Sequence, residues 1–407
     1  MPVKTIDDLD RNDISGKRIL VRVDFNVPLD GEGRITDDTR ISRALPTLVH
    51  LLERGGRVVA LSHLGRPGGE VDPDLSLRPV ADHLGEMLDF PVAFVEDLVG
   101  DEAGKAVADL SDGELLLLEN TRFHSGEKRN DPELSEKLAE MADLYVSDAF
   151  GTAHRAHAST VGVPEAVRKR GGGAVAGFLM EKEVEYLDRS LRDPQRPFVA
   201  VLGGAKISGK IDVIEALLPR VDRLLVGGAM ANTFFKAMGL ETGRSLVEDE
   251  RVDMARSTLD DAGDKLLLPV DCVVAEDLAA GVRTRVVPRT EVGPEDRIGD
   301  IGPASLELFR EEMKEGRTVV WNGPMGVFEI DAFAQGTLTL ARTMAEVTEE
   351  GGTTIVGGGD SASAVEMAGV GDGVSHVSTG GGASLELLSG SRLPGLAVLD
   401  EKEGGDA

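Results

Sequence analysis

Short apolar runs alternate with longer amphipathic stretches along this chain. In the first part, RILVRVDF (18–25), RVVALS (57–62), VAFVED (92–97), ELLLLEN (114–120) and LYVSDAF (144–150) read as buried strands. Between them, RISRALPTLVHLLERGG (40–56) and PELSEKLAEMA (132–142) repeat apolar residues with helical spacing. In the second part, PFVAVLGG (197–204), RLLVGG (223–228), TVVWNGP (318–324), TTIVGGG (353–359) and VSHVSTGGG (374–382) alternate with the helical patterns AMANTFFKAMG, DAFAQGTLTLARTMAEVTEEG and SASAVEMAG. Strands and helices in this alternation form parallel sheets covered on both faces, because each crossover helix must bury its apolar stripe on the sheet. The expected fold class is therefore α/β. Between the two parts, FLMEKEVEYLDRSLRDPQRP predicts an amphipathic helix followed by two prolines, a hinge between two domains.

Length agrees with this division, since 407 residues exceed what one core normally serves. The single cysteine, Cys272, lies in the apolar run LLLPVDCVVAED, cannot form an internal disulfide and reads as a small buried hydrophobe suited to a reducing cytosol. The start of the sequence has no basic-plus-apolar signal pattern, and no apolar run approaches the ~18 residues of a membrane helix, so a soluble, cytoplasmic protein is expected. The net charge of −28 arises from 72 acidic against 44 basic residues spread along the chain, which makes nucleic acid a poor partner. Dispersed acid of this kind suits a protein kept soluble in concentrated salt, where self-repulsion is screened.

The basic residues are distributed more tellingly. Asp24 and Asn26 follow the first strand, with Arg22 inside it. Arg40 opens a helix, His63 and Arg66 sit in SHLGRP, Arg122 in ENTRFH, and His154, Arg155 and His157 in GTAHRAH. Sites in open parallel sheets form at the carboxyl ends of strands, so these groups can converge, and clustered guanidinium groups suit a compact anion such as a phosphate or carboxylate. In the second part glycines recur just past strands, at 203 and 204, 227 and 228, 323, 357 to 359, and 380 to 382, where backbone N–H groups can approach phosphates. Lys206 and Lys210 add positive charge. Asp360 offers one carboxylate for Mg²⁺ or a helix cap, and Glu329 a partner for a ribose hydroxyl. The stretch LGGAKISGK has the G-x-x-x-x-G-K spacing of a nucleotide-binding loop, yet Ile211 stands where a magnesium-binding hydroxyl is required.

RVDFNVP, SHLGRP, ENTRFH, DAFGTAHRAH, LGGAK, WNGPMGVFE, GGGDSA and STGGGASLELL occur in the order and spacing of phosphoglycerate kinases, so the chain resembles that family over nearly its whole length. The resemblance implies two Rossmann-like domains: residues 1–177 for the triose phosphate, a hinge helix 178–192, residues 193–384 for the nucleotide, and a tail 385–407 returning to the first domain. It implies a reversible transfer of the acyl phosphate of 1,3-bisphosphoglycerate to MgADP by a monomer, within glycolysis and gluconeogenesis. Asp24, Asn26, Arg40, His63, Arg66, Arg122 and Arg155 would hold the triose. Gly203, Gly228, Asn322 and Glu329 would meet the nucleotide, Gly358, Gly359, Asp360 and Ser361 its phosphates and Mg²⁺, and Gly380, Gly381 and Gly382 the transferred phosphate. Arg40, Lys206 and Lys210 would be catalytic, with Lys206 on the moving phosphoryl group and Lys210 on the nucleotide phosphates. The family pattern usually has an acidic residue in place of Gly209, so the Walker-like spacing is accidental, and often Thr in place of Ser361, which leaves a hydroxyl. A dinucleotide-dependent oxidoreductase would share sheets and glycines, but no G-x-G-x-x-G with an acidic residue ~20 positions on is present. The separation of the two motif sets also predicts domain closure during turnover, because reacting atoms must come within ~3–3.5 Å.

The dispersed acidic excess carries its own prediction. Thermal melts across a KCl series should show a melting temperature that climbs well past physiological ionic strength as side-chain repulsion is screened. A flat or falling series rejects salt adaptation.

Overall fold

The computed structural model describes residues 3–402. Two compact units divide them: one runs up to Glu185 and resumes at Arg392, the other is Tyr186–Ser391. The first unit is built on β1 (Arg18–Val23), β2 (Arg57–Leu61), β3 (Val92–Val95), β4 (Leu115–Leu118), β5 (Leu144–Asp148) and β6 (Gly173–Ala176), side by side in the order β3-β4-β2-β1-β5-β6. All neighbours run parallel, and β1 lies between β2 and β5 with Leu20 aligned on Val59 and Tyr145. Ile19, Leu20 and Val21 in β1, Val58 to Leu61 in β2 and all four leucines of β4 are buried. Continuous apolar runs are what a strand covered by helices on both faces requires.

The second unit uses β7 (Phe198–Leu202), β8 (Arg223–Val226), β9 (Leu266–Leu267), β13 (Thr318–Asn322), β14 (Thr353–Gly357) and β15 (His376–Val377) in the order β15-β14-β13-β7-β8-β9, again all parallel. Trp321 is fully buried in a core that it shares with Val199, Val201, Phe309, Leu340 and Val356. Between β9 and β13 the chain adds an antiparallel sheet, β11-β10-β12, from β10 (Asp271–Ala275), β11 (Arg285–Pro288) and β12 (Arg297–Ile301). The sequence pattern did not disclose this sheet, since β11 is largely exposed and β12 carries charged positions. It also missed β6 and β9, which are too short to show a period. Cys272 is buried in β10 and burial pushes its thiol up to about 12, so it stays protonated.

Chain order reverses between β7 and β13 in one sheet and between β2–β1 and β5 in the other. At such points adjacent crossovers leave on opposite faces and open a crevice at the carboxyl ends of the strands. A helix spans Phe178–Arg192, and the unit boundary falls within it. Its first turn is tied to the first sheet. Asp148, the last residue of β5, accepts hydrogen bonds through Oδ1 from the backbone N–H groups of Leu179 (2.9 Å) and Met180 (3.1 Å), and Phe178 N–H donates to the Thr47 hydroxyl (3.0 Å). A carboxylate at a helix N-terminus satisfies orphan donors and the helix dipole.

Burial pushes the Asp148 carboxyl up to about 7, and its Oδ2 is buried without a hydrogen-bond partner. A carboxyl raised in the folded state contributes stability that is complete below its unfolded value near pH 4 and is lost as pH rises through about 7. Asp148→Asn keeps an acceptor oxygen and abolishes the titration. Its melting temperature relative to the parent should therefore rise by ~5 °C between pH 4.5 and 8. Parallel curves for the two proteins would show that Asp148 does not titrate in this window.

Candidate functional site: a guanidinium basin and a glycine floor

In the first unit the loops leaving β1, β2, β4 and β5 emerge on one edge, and the sequence-predicted residues lie on them. Arg40 stands in the first turn of the helix Thr39–Glu53, where it pairs with Asp24, and the Asp24 Oδ1 lies 3.7 Å from Nδ1 of His63. Asn26 and Arg122 hold one residue between them: Gly65 N–H donates to Asn26 Oδ1 at 2.8 Å and Arg122 Nη1 donates to Gly65 O at 2.6 Å. That clamp ties the loops after β1, β2 and β4 into one wall. Asn120 extends it, accepting from Leu64 N–H (3.2 Å) and Arg122 N–H (3.0 Å) and donating to Leu64 O (2.7 Å) and Leu75 O (2.9 Å). His63 and Arg122 are buried, Arg40 is half-buried, and Arg66 and Arg155 are exposed at the rim.

Positive charge dominates the electrostatics of this wall, with Asp24 and Glu127 opposing it. Burial holds His63 well below the usual imidazole range, and Arg22, Arg122, Arg40 and Arg155 press it further. Burial, then Arg22 and Arg155, brings Arg122 down to about 10, and burial, then Arg122 and Arg155, brings His157 down to about 4. The same guanidinium groups recur each time. Guanidinium groups crowded in this way suit a ligand carrying several negative charges. Sequence analysis groups Arg22 with the converging arginines and passes over Asn120 and Glu127, because nothing in a linear pattern marks a polar side chain as buried.

In the second unit the strand-end glycines meet across the reversal between β7 and β13. Gly203 N–H donates to Asn322 O (3.0 Å), Gly204 N–H to Pro324 O (2.8 Å) and Gly228 N–H to Met325 O (3.2 Å). Gly323 has φ +97°, and a Cβ there would lie 2.4 Å from Gly203 O and 2.5 Å from Lys210 Nζ, so no other residue fits. Lys210 Nζ reaches over this backbone to donate to Asn322 O (2.7 Å) and Oδ1 (2.6 Å), and the Asn322 amide nitrogen is buried with no hydrogen-bond partner. Ser361 is buried with its hydroxyl accepting from Gly323 N–H at 2.6 Å. Gly380 N–H donates to Ser378 Oγ at 3.1 Å, and Gly381 and Gly382 open the helix Gly382–Leu388.

Asp360 is not the cap of the following helix. The helix is Gly359–Met367, flanked by Gly358 at φ +91°, and Asp360 lies exposed in its first turn. Its charge acts on Lys210, whose ammonium burial brings down to about 8 while Asp360 opposes the shift. Lys206 and Glu329 are exposed. Sequence reading missed Glu248, which pins the turn between Gly204 and Lys210 by accepting from Ser208 N–H at 3.0 Å.

A basin of arginines on one parallel sheet and a lysine-crossed glycine floor on another define an α/β enzyme of the phosphotransferase class. Comparison with known proteins narrows this. The family model described as phosphoglycerate kinase matches residues 6–391. A phosphoglycerate kinase of Rubrobacter xylanophilus is 56% identical over 404 residues, covering 99% of this chain and 100% of that protein, and one of Pelodictyon phaeoclathratiforme is 55% identical over 392 residues, covering 95% and 98%. The solved phosphoglycerate kinase of Coxiella burnetii superposes with a TM-score of 0.87 at 42% identity over 98% of each chain, and that of Pyrococcus horikoshii OT3 with 0.83 at 34% over 97% and 98%. The chain belongs to the phosphoglycerate kinase family.

Lys210 gives the site a measurable signature. In the ligand-free protein its ammonium should titrate near pH 8, and bound ADP, which favours the charged form, should raise that midpoint by a unit or more. NMR of ¹³C-methylated lysines reads both values. A midpoint unmoved by saturating ADP would mean that Lys210 does not face the nucleotide phosphates.

Proposed function

We propose that the protein catalyses reversible transfer of the acyl phosphate of 1,3-bisphosphoglycerate to MgADP, giving 3-phosphoglycerate and MgATP. The observation that carries the proposal is the convergence of Arg22, Arg40, Arg122 and Arg155 on a buried His63, an environment matched to a small ligand bearing a phosphate and a carboxyl group. In this reading Asp24, Asn26, Arg40, His63, Arg66, Arg122 and Arg155 hold the triose. Gly203, Gly228, Asn322 and Glu329 meet the nucleotide, Gly358, Gly359, Asp360 and Ser361 its phosphates, and Gly380 to Gly382 the phosphoryl group in transit.

The nucleophile in either direction is already an anionic oxygen, so no general base is needed and catalysis consists of alignment and charge neutralisation. Arg40 and Lys206 neutralise the moving group, and Lys210 holds the nucleotide phosphates. Among the described residues no cluster of three or more histidine, cysteine or carboxylate side chains could hold a metal. Asp360, exposed in the first turn of its helix beside the glycine floor, would be the one protein carboxylate for Mg²⁺ carried by the nucleotide phosphates. When bound, Mg²⁺ shields charge on the phosphates. A monomeric, cytoplasmic enzyme completes the proposal, and among the described residues no helix is long and apolar enough to cross a membrane.

A coupled assay for ATP formation from ADP and 1,3-bisphosphoglycerate tests the reaction directly. Arg40→Ala and Lys206→Ala should each lower kcat by ~10²–10³-fold, with smaller changes in KM, as expected for loss of a group that acts on the transition state. A Lys206→Ala enzyme of near-normal kcat would remove Lys206 from the mechanism.

A further inference from the structure

Behind the basin runs a chain of buried polar groups. Arg22, only 1% exposed, uses every edge of its guanidinium: Nε donates to Ser159 Oγ at 2.9 Å, Nη1 to Val23 O, and Nη2 lies 3.1 Å from His63 Nδ1. Ser159, fully buried, donates its hydroxyl proton to Glu127 Oε1 at 2.6 Å and its backbone N–H to Glu127 Oε2 at 3.0 Å. Tyr145, also fully buried, fixes Ser159 from the other side by donating to its carbonyl at 2.8 Å. Glu127, 1% exposed, is thus the counter-charge of Arg22 at one remove.

We infer that Glu127, Ser159 and Arg22 are positioning residues that fix His63 as the neutral tautomer with its proton on Nε2. A guanidinium has only donors, so the nitrogen that faces Arg22 Nη2 must supply a lone pair, and that nitrogen is Nδ1. The competing acceptor, Asp24 Oδ1, is 3.7 Å from Nδ1, too far for a hydrogen bond, and the other oxygen of Asp24 is taken by Arg40. A cationic imidazolium is opposed by burial and by Arg22, Arg122, Arg40 and Arg155, with Asp24 the carboxylate beside the ring. The proton must then sit on Nε2, where it can be offered to an anionic ligand. The other tautomer would turn a lone pair toward that ligand.

The relay has a reason to be indirect. A carboxylate placed directly on Arg22 would stand against the basin and cancel its field. With Ser159 interposed, Glu127 compensates the buried charge, orients the guanidinium and stays behind it. Ser159 accepts from Arg22 and donates to Glu127, so its one proton has a single place to go and the whole chain has one direction.

This inference rests on the proposed triose-binding role of His63 only for its kinetic consequence. The tautomer itself is read in the ligand-free full-length protein by two-bond ¹H–¹⁵N correlation of the histidine rings, with His63→Gln to assign the signal. Between pH 6 and 8 His63 should show a protonated Nε2 and a bare Nδ1. In Ser159→Ala and in Glu127→Gln the His63 nitrogen shifts should move toward a tautomer mixture, and KM for 3-phosphoglycerate should rise ~5–10-fold with kcat little changed, as for loss of one hydrogen bond in ground-state binding. A proton on Nδ1, a cationic ring at pH 7, or unaltered His63 shifts in both folded variants would overturn the relay. If Ser159→Ala does not fold, the parent spectrum and Glu127→Gln decide it. Shifts that move as expected while KM stays constant would uphold the relay and refute the binding role of His63.

Discussion

Guanidinium groups held close together repel one another, and the first unit is organised around keeping them so. Arg22, Arg122 and Arg155 depress the same neighbours, His63 and His157, and Arg22 and Arg155 depress Arg122 itself. Each is therefore restrained by neutral or indirect partners rather than by a carboxylate in contact. Arg122 is held by the Gly65 carbonyl, and Arg22 by Ser159 and the Val23 carbonyl. Arg40 alone among the basin arginines is paired directly, to Asp24, and it is half-exposed. The result is a positive surface that stays positive in a chain of net charge −28. Donors oriented in advance in this way suit the anion of the proposed reaction, whose charge would relieve the repulsion.

The second unit brings main chain close to main chain at its strand ends. Its glycines are packed so tightly that a Cβ at Gly203 would lie 2.2 Å from the Pro324 carbonyl, and one at Gly228 2.5 Å from Gly204 N. The loops after β7, β8 and β13 are in effect one layer of main chain, and Lys210 crosses it to Asn322. Here a single partly desolvated ammonium replaces a cluster of guanidinium groups. Its lowered affinity for the proton follows from burial, with Asp360 as the nearby opposite charge.

Both units also use a buried carboxylate at a strand end to hold a helix start. Asp148 does so for the helix Phe178–Arg192, and Asp300 at β12 accepts from Ile301 N–H (2.9 Å) and from Gly336 N–H (2.8 Å) in the first turn of the helix Gln335–Glu349. Burial pushes Asp300 up to about 7 as well. Such anchors set the direction of a helix from the sheet outward, at the cost of a carboxyl group ill suited to ionise there.

The amino-acid sequence by itself determined the alternation of strands and helices, because burial on both faces demands continuous apolar runs such as LLLL in β4, and a one-sided helix demands the spacing seen in Ile41, Ala44, Leu48 and Leu51. It also marked which residue types stand after strand ends, since arginine, histidine and glycine there are visible without coordinates. The short strands β6 and β9 and the half-exposed antiparallel sheet left no period to read, and pairing made them strands. Only the tertiary structure decided that Arg22 is buried against His63. Only it decided that Ser159 and Glu127, 137 and 105 positions away from Arg22, support it, and that Asp360 stands within the helix rather than at its cap. Hydrogen-bond partners are chosen by which loops a sheet order brings together, and strand order is a property of the packed layers that no local stretch of sequence contains.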